Sequence, residues 1–503
     1  MLDARTGLEL LRGAPEDIAL WYFETALTWG EVDRLSDAFA AGLASLGVVP
    51  GDRIAVQLQN MPQWLLALVG AWKAGAAVVP VNPMYTPRER AVLLDDSGAR
   101  VLLVLEGLED GAQVEHVITT SPLDYLDEVP RQLAGVERNT GELDLNALLA
   151  RHDGQRPDAP APAPADVALL TYTSGTTGPP KGAMNTHANV AFNAQTYRDW
   201  IGLTSDDIAL AIAPLFHITG LVGHLAVGML TPMPLVLAYR FDAAETLRLA
   251  ERHGATFTIA AITAFIALLR EEQGELPKLT KAYSGGAPIA PAVVEAFERR
   301  FGAYIHNIYG LTETTSPSHA VPFSRRAPVD PSTGALSVGV PVFDTVSRIV
   351  GEDGAELPVG EIGEIVTRGP QVVPGYWRLD GFDELATGDV GFMDADGWFY
   401  LVDRKKDQIN AAGYKVWPRE VEDVLYEHPD VVEVAVVGVP DEYRGETVKA
   451  FVSLASGSTV TPDELIEFAR GRLAAFKRPR QVELVDELPK TATGKILRRA
   501  LRP

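Results

Sequence analysis

Two hydrophobic periods alternate along this chain, and the alternation limits what it can fold into more than any other feature. Between Leu27 and Leu105, the stretch LTWGEVDRLSDAFAAGLASLG carries apolar residues at Val32, Leu35, Phe39, Leu43 and Leu46, a helical stripe closed by Gly47. RIAVQLQN then has strand character, PQWLLALVGAWKAG a helical period, and AAVVPVNP strand character again. Such a succession places helices over a mainly parallel sheet, an α/β organisation. A second block of the same kind runs from Val167 to about Ala320, with apolar strands VALLTYT, IALAIAP and ATFTIAAI.

Between the two blocks, residues 105–150 are acidic and weakly patterned, and HDGQRPDAPAPAPADVA is a Pro/Ala-rich connector expected on the surface. After Gly339 the texture changes to short strands and turns, as in GVPVFDTVSRIV, GEIGEIVTRG and GWFYLVD, which predicts a β-rich module. From Asp403 onward, the helix PREVEDVLYEH and the strand VVEVAVVGV predict a compact α+β unit. With 503 residues there is room for one large and one small unit.

Charge and composition exclude several functions. A net charge of −23 repels phosphate backbones and anionic lipid at long range, so neither nucleic acid nor a membrane surface is expected as the main partner. The absence of cysteine removes disulfides, thiolate nucleophiles and Cys-ligated zinc. The apolar run from Ile218 to Tyr239 is broken by His224, Pro232 and Pro234, which favours a buried core segment over a membrane span. The opening MLDARTGLELLRGAPED lacks the apolar centre of a secretory signal, and a cytoplasmic location is the expectation.

The most informative stretch is TYTSGTTGPPKGAM, Thr171 to Met184, directly after an apolar strand. It gathers the hydroxyls of Thr173, Ser174 and Thr176 among Gly175, Gly178 and Gly182, with Lys181 beside them. Glycines let backbone amides approach phosphate oxygens, and a lysine supplies a point charge. The string is not a Walker A loop, because Pro-Pro precedes Lys181 and glycine follows it.

Six further stretches stand in order behind it: PLFHITG (Pro214 to Gly220), YSGGAP (Tyr283 to Pro288), NIYGLTET (Asn307 to Thr314), TGD (Thr387 to Asp389), VDRKKDQINAAGYKVWP (Val402 to Pro418) and LPKTATGKILRR (Leu488 to Arg499). Together they cover nearly the whole length, and the chain resembles the acyl-adenylate-forming superfamily, in particular its acyl-CoA synthetases and 4-coumarate–CoA ligases. The fold this resemblance implies is α/β, with a large N-terminal domain of α/β subdomains plus a β-rich module over residues 1–403. A small mobile α+β C-terminal domain over 404–503 carries the catalytic lysine.

The resemblance also implies roles. Ser174, Thr176, Thr177 and Lys181 would hold the β- and γ-phosphates of ATP, Tyr309 the adenine, and Asp389 with Arg404 the ribose hydroxyls. Thr312 would lie near the α-phosphate, and Glu313 would be a ligand of Mg²⁺, for which a carboxylate shared with phosphate oxygens is normal coordination. Thr173, Gly175, Gly286, Ala287, Pro288, Asn307 and Gly310 complete the implied ATP site. Lys495 matches the lysine that bridges carboxylate and α-phosphate, joining Thr312, Glu313 and His217 as implied catalytic positions. Without the resemblance, Lys495 beside Arg498 and Arg499 reads as a solvated basic tail, and His217 between Phe216 and Ile218 as a core histidine. By resemblance His217, Thr219, Gly223, Ala287, Ile308, Ser316 and Pro317 line the acyl pocket. For coenzyme A the positions are Gly413, Arg444, Lys477 and Arg478, and Lys406 is the hinge.

These readings converge on an ATP-dependent acid–CoA ligase of the AMP-forming, acid–thiol class, working through an acyl-adenylate. With no cysteine in the chain the acceptor thiol comes from outside. A cation for a second carboxylate does not stand out, since Lys281 lies outside the acyl motifs, so a medium- or long-chain fatty acid or an aryl acid is the expected substrate. Two alternatives stay open: a ligase loading the pantetheine of a carrier protein, and a catalytically silent sensor of acyl-AMP. The partners expected are the carboxylic acid, ATP and CoA, without nucleic acid or stable membrane insertion, and with a homodimer as the form of self-association to test.

Overall fold

In the computed structural model, residues 3–139, 141–173, 180–287, 289–331, 333–404, 407–411, 414–441, 445–491 and 496–502 are described, with only the backbone of 403, 404, 414 and 415. Within them, two open sheets carry the alternation seen in the sequence. The first orders its strands 116–120, 101–105, 53–57, 77–80, 167–173 and 181–186, all parallel except for the last. The second is larger, with a parallel centre formed by Ile305–Leu311, Lys281–Gly285, Phe257–Ala260, Ala209–Leu210, Leu235–Leu237 and Ile18–Tyr22. Its edges, Ser316–Ala320 with Val340–Pro341 and Thr25–Thr28, run antiparallel.

Helices cover these sheets for local reasons. Trp29–Ser45 begins at a capping box in which the Thr28 hydroxyl accepts from the Glu31 amide (3.2 Å) and the Glu31 carboxylate accepts from the Thr28 amide (2.8 Å). It packs on Gln63–Lys73, a buried helix, where a Cβ on Gly70 would stand 2.7 Å from the Phe39 ring. Only glycine permits that approach. The run from Ile218 to Leu230 is buried and helical, widening to a π-turn over Leu221–Ala226, and Leu235–Leu237 follows as a central strand. The core-segment reading therefore holds, and among the described residues no helix is long and apolar enough to cross a membrane.

A four-stranded antiparallel sheet follows, Val346–Val350, Gly363–Arg368, Leu385–Met393 and Phe399–Arg404. The remaining strands form a sheet of their own around Val431–Asp441 and Gly445–Leu454, with a separate core of Ile409, Val421, Leu425, Val434, Val436 and Leu465. The molecule is thus a large α/β body with a β-rich module and a small C-terminal α+β body. The Arg419 guanidinium, buried at the start of the helix Pro418–Tyr426, donates to the Leu401 carbonyl (3.2 Å) and ties the two together.

Candidate active site

The segment from Thr171 to Met184 joins two antiparallel strands, Val167–Thr173 and Lys181–Thr186, whose register sets Thr173 opposite Lys181. The two ends of the glycine-rich stretch are therefore fixed, with the Thr173 hydroxyl 3.5 Å from the Lys181 carbonyl it donates to. Ser174, Gly175, Thr176, Thr177, Pro288, Lys406, Gly413, Arg444 and Lys495 lie outside the described residues, as does the side chain of Arg404.

NIYGLTET straddles the C-terminal end of the strand Ile305–Leu311, at the sheet end where open α/β folds keep their binding crevices. Tyr309, buried, donates its hydroxyl hydrogen to Asp389 (2.8 Å), and its ring packs against His319. Asp389 pairs in register with Arg404 across two strands of the β-rich module. The three positions assigned to the nucleoside thus come together from separate parts of the chain. Asn307 uses its side-chain amide on the Ser337 carbonyl (3.1 Å), and Ile308 pairs in register with Gly285, next to Gly286 and Ala287.

Beyond Leu311 the chain makes one short turn, Thr312–Thr314, and then holds Thr315 and Ser316 at positive φ (51° and 87°). A buried non-glycine pair in that region is strained and needs outside support. The helix His187–Ile201 supplies it through Asn193 and Tyr197, which lie with Asn189 at a spacing of four and so on one face. Asn193 donates to the carbonyls of Thr314 (3.0 Å) and Thr315 (2.7 Å), the Tyr197 hydroxyl lies 2.6 Å from that of Ser316, and Asn189 donates to the Pro370 carbonyl (2.7 Å). Asn185, just before the helix, donates to the Thr312 carbonyl (2.9 Å). Gly310 closes the turn so tightly that a Cβ there would lie 1.8 Å from the Ser316 carbonyl oxygen.

Glu313 accepts a hydrogen bond from the Tyr376 hydroxyl (2.7 Å), and Lys181 places its ammonium over the same tyrosine ring, 5.1 Å from its centre. Burial, and then the Glu313 charge, push the Tyr376 phenol well above its ordinary range, so it stays a donor. Among the described residues no group of three His, Asp or Glu side chains is arranged to hold a metal. One hard carboxylate, that of Glu313, still fits Mg²⁺, which commonly takes one or two carboxylates and completes its shell with phosphate oxygens and water.

Of the acyl positions, Ile308, Ser316 and Pro317 are buried, Thr219 and Ala287 half-buried, and His217 caps the helix start by accepting from the Thr219 amide (3.3 Å). A Cβ on Gly223 would stand 3.2 Å from the Tyr197 ring and 3.3 Å from Ile259. Lys281 sits at the far end of its strand, bonded to Asp207 (2.7 Å) and to the Gly202 carbonyl (2.8 Å). Of the described CoA positions, Lys477 is paired with Glu420 and Arg478 donates to the Leu473 carbonyl (2.9 Å).

A family model for AMP-binding enzymes matches residues 9–377, and one for the C-terminal domain of AMP-binding enzymes matches 420–495. The chain belongs to the AMP-binding enzyme family. The long-chain-fatty-acid–CoA ligase of Bacillus subtilis (strain 168) is 36% identical to it over 97% of this chain and 91% of that one. The feruloyl-CoA synthase of an Amycolatopsis species is 38% identical, over 98% and 96%. Among solved structures, the anthranilate–CoA ligase AuaEII in complex with anthranoyl-AMP superposes with a TM-score of 0.88, at 28% identity over 100% of this chain and 97% of that one. Asn185, Asn189, Asn193, Tyr197 and Tyr376 were not singled out from the sequence. The four-residue spacing of Asn189, Asn193 and Tyr197 was the legible sign for three of them.

Proposed function

We propose that this AMP-binding enzyme is an ATP-dependent acid–CoA ligase acting on an uncharged fatty or aryl acid, with a division near residue 403 between a nucleotide- and acyl-binding part and a lid that carries Lys495. The observation that carries the reading is that three sheets contribute to one place: Lys181 and Glu313 share Tyr376, and four residues before Glu313 the buried Tyr309 bonds Asp389. A carboxylate oxygen attacks the α-phosphorus of ATP, pyrophosphate leaves, and a thiol then displaces AMP from the acyl carbon. Charge must be neutralised where it gathers for the first step. Lys181 contributes a cation at the phosphates, Thr312 a hydroxyl near the α-phosphate, and Lys495 an ammonium between the two reacting anions. Glu313 is the residue that would hold Mg²⁺, which when bound offsets charge on the polyphosphate.

For the acid, the described acyl positions are neutral and small, and Lys281 stands four residues, about 13 Å of strand, from Gly285 with its charge already paired. A second carboxylate would meet no partner there and would cost several kcal/mol. Each further methylene of a monoacid contributes about 0.8 kcal/mol, roughly fourfold in affinity, until the pocket ends.

The test is a panel of straight-chain acids from acetate upward, with benzoate, ferulate and malonate, followed through pyrophosphate and AMP release with and without CoA. Pyrophosphate should require the acid, AMP release should accelerate with CoA, and kcat/KM should climb over several carbons from acetate. Pyrophosphate release that no acid stimulates would overturn the ligase reading. Malonate or acetate as the best substrate would overturn the pocket reading. Acceleration by a carrier protein but not by free CoA would move the acceptor to the carrier.

A further inference from the structure

Tyr376 stands between Lys181 and Glu313, on a segment whose backbone is fastened next to Lys181 and to Glu313 itself. It bridges to Ala183, with the Trp377 amide donating to the Gly182 carbonyl (2.7 Å) and the Met184 amide to the Gly375 carbonyl (3.2 Å). On the other side the Val373 amide donates to the carbonyl of Glu313 (2.9 Å). The phenol hydroxyl and the ring face then act on different partners, Glu313 and Lys181 respectively, while Phe382 packs edge-on against the ring at 5.7 Å.

We propose, on the footing of the ATP-dependent reading above, that Tyr376 is the positioning residue of the nucleotide site: its hydroxyl fixes one Glu313 oxygen, its ring seats the Lys181 ammonium, and the two opposite charges are kept as separate contacts for one metal-bound polyphosphate. Two opposite charges on neighbouring elements tend to pair with each other, and a direct ion pair would have to be broken before either met the nucleotide. A cation resting on a ring is held more loosely and passes to phosphate without that loss. A carboxylate whose one oxygen accepts from a phenol keeps its orientation and its charge.

The experiment uses the full chain and two variants, Tyr376→Phe, which keeps the ring, and Tyr376→Leu, which removes ring and hydroxyl. ATP binding is measured by calorimetry across a Mg²⁺ series and in EDTA, with melting temperatures alongside. Tyr376→Phe should raise the Mg²⁺ midpoint for ATP binding at least fivefold while leaving metal-free ATP affinity within twofold. Tyr376→Leu should weaken metal-free binding several-fold as well. A Mg²⁺ midpoint within twofold of the unaltered protein in Tyr376→Phe overturns the proposal, as does an equal loss of affinity at all Mg²⁺ concentrations together with a lowered melting temperature. If the unaltered protein binds no Mg·ATP, the ligase reading falls with it. If that protein binds Mg·ATP and releases pyrophosphate but Tyr376→Phe matches it, this inference falls alone.

Discussion

Tyr309 and Asp389 lie 80 residues apart in sequence and meet through one hydrogen bond of 2.8 Å, so the proposed nucleoside end of the site is set by a contact between two sheets. The proposed phosphate end holds Lys181 and Glu313, each engaged by Tyr376. Lys495 completes this arrangement from the C-terminal body in the proposed mechanism, and only for the first half-reaction, since it is there that two anions must approach. Lys495→Ala should therefore slow acyl-adenylate formation by roughly 10²–10³-fold or more while leaving thioester formation from supplied acyl-AMP largely intact. Pyrophosphate release and CoA-dependent consumption of acyl-AMP, measured separately, decide it, and equal losses in both would remove the lysine from that role. Glu313 and Asp389 were named through the motifs that hold them, YGLTE and TGD, by resemblance. Tyr376, in PGYW, was not, because its work depends on a backbone bridge to Ala183 that no local pattern announces.

The helix His187–Ile201 is the element on which the strained turn depends. Its side chains at Asn193 and Tyr197 hold Thr314, Thr315 and Ser316, and so the direction in which Thr312 and Glu313 leave the strand. Asn193→Ala leaves buried carbonyls without their donor, at about 1–3 kcal/mol for each. A lowered midpoint in chemical denaturation and a raised KM for ATP should appear together. A variant that loses stability but keeps its ATP kinetics would separate the helix from the site. A second prediction belongs to the connection between the bodies: Lys406→Pro fixes φ near −65° and removes an amide donor, so a lid that must rotate there should keep adenylation and lose the CoA step. An undiminished overall rate would place the pivot elsewhere.

Elements with a long, clean period were read correctly, among them VALLTYT and PREVEDVLYEH, which became Val167–Thr173 and Pro418–Tyr426. Short ones escaped. His116–Thr120 is a five-residue strand without alternation, and Leu145–Arg151 a seven-residue helix too brief to show its stripe, although Asp144 caps it. In IALAIAP only Ala209 and Leu210 enter the ladder. Neither the hairpin that pairs Thr173 with Lys181 nor the positive φ at Ser316 could be foreseen, because both are imposed by partners distant in sequence.

Across the whole molecule, the buried imidazoles tie stability to pH. Burial pushes His224 and His319 down to about 3 and His187 down to about 4. Their folded pKa values lie below the ordinary 6.5 of the unfolded chain, so the stabilisation is complete above about pH 6.5 and is lost as pH falls toward the folded values. Each contributes about 1.4 kcal/mol per pH unit inside that window. Asp423 acts in the opposite sense, since burial raises it to about 6 and its protonation on acidification restores some stability. Burial also lowers His253 and His306 and raises Asp124, and two carboxyls do not offset five imidazoles, so the melting temperature should fall steadily between pH 6.5 and 5. A flat profile would contradict the burial of these rings. The central claim, however, is that the acid's own oxygen ends on the nucleotide. It is tested by supplying a substrate acid labelled with ¹⁸O in its carboxylate, together with ATP, Mg²⁺ and CoA, and weighing the products by mass spectrometry. The account predicts AMP bearing one heavy oxygen and unlabelled pyrophosphate, whereas unlabelled AMP, or the label in inorganic phosphate beside ADP, would contradict it.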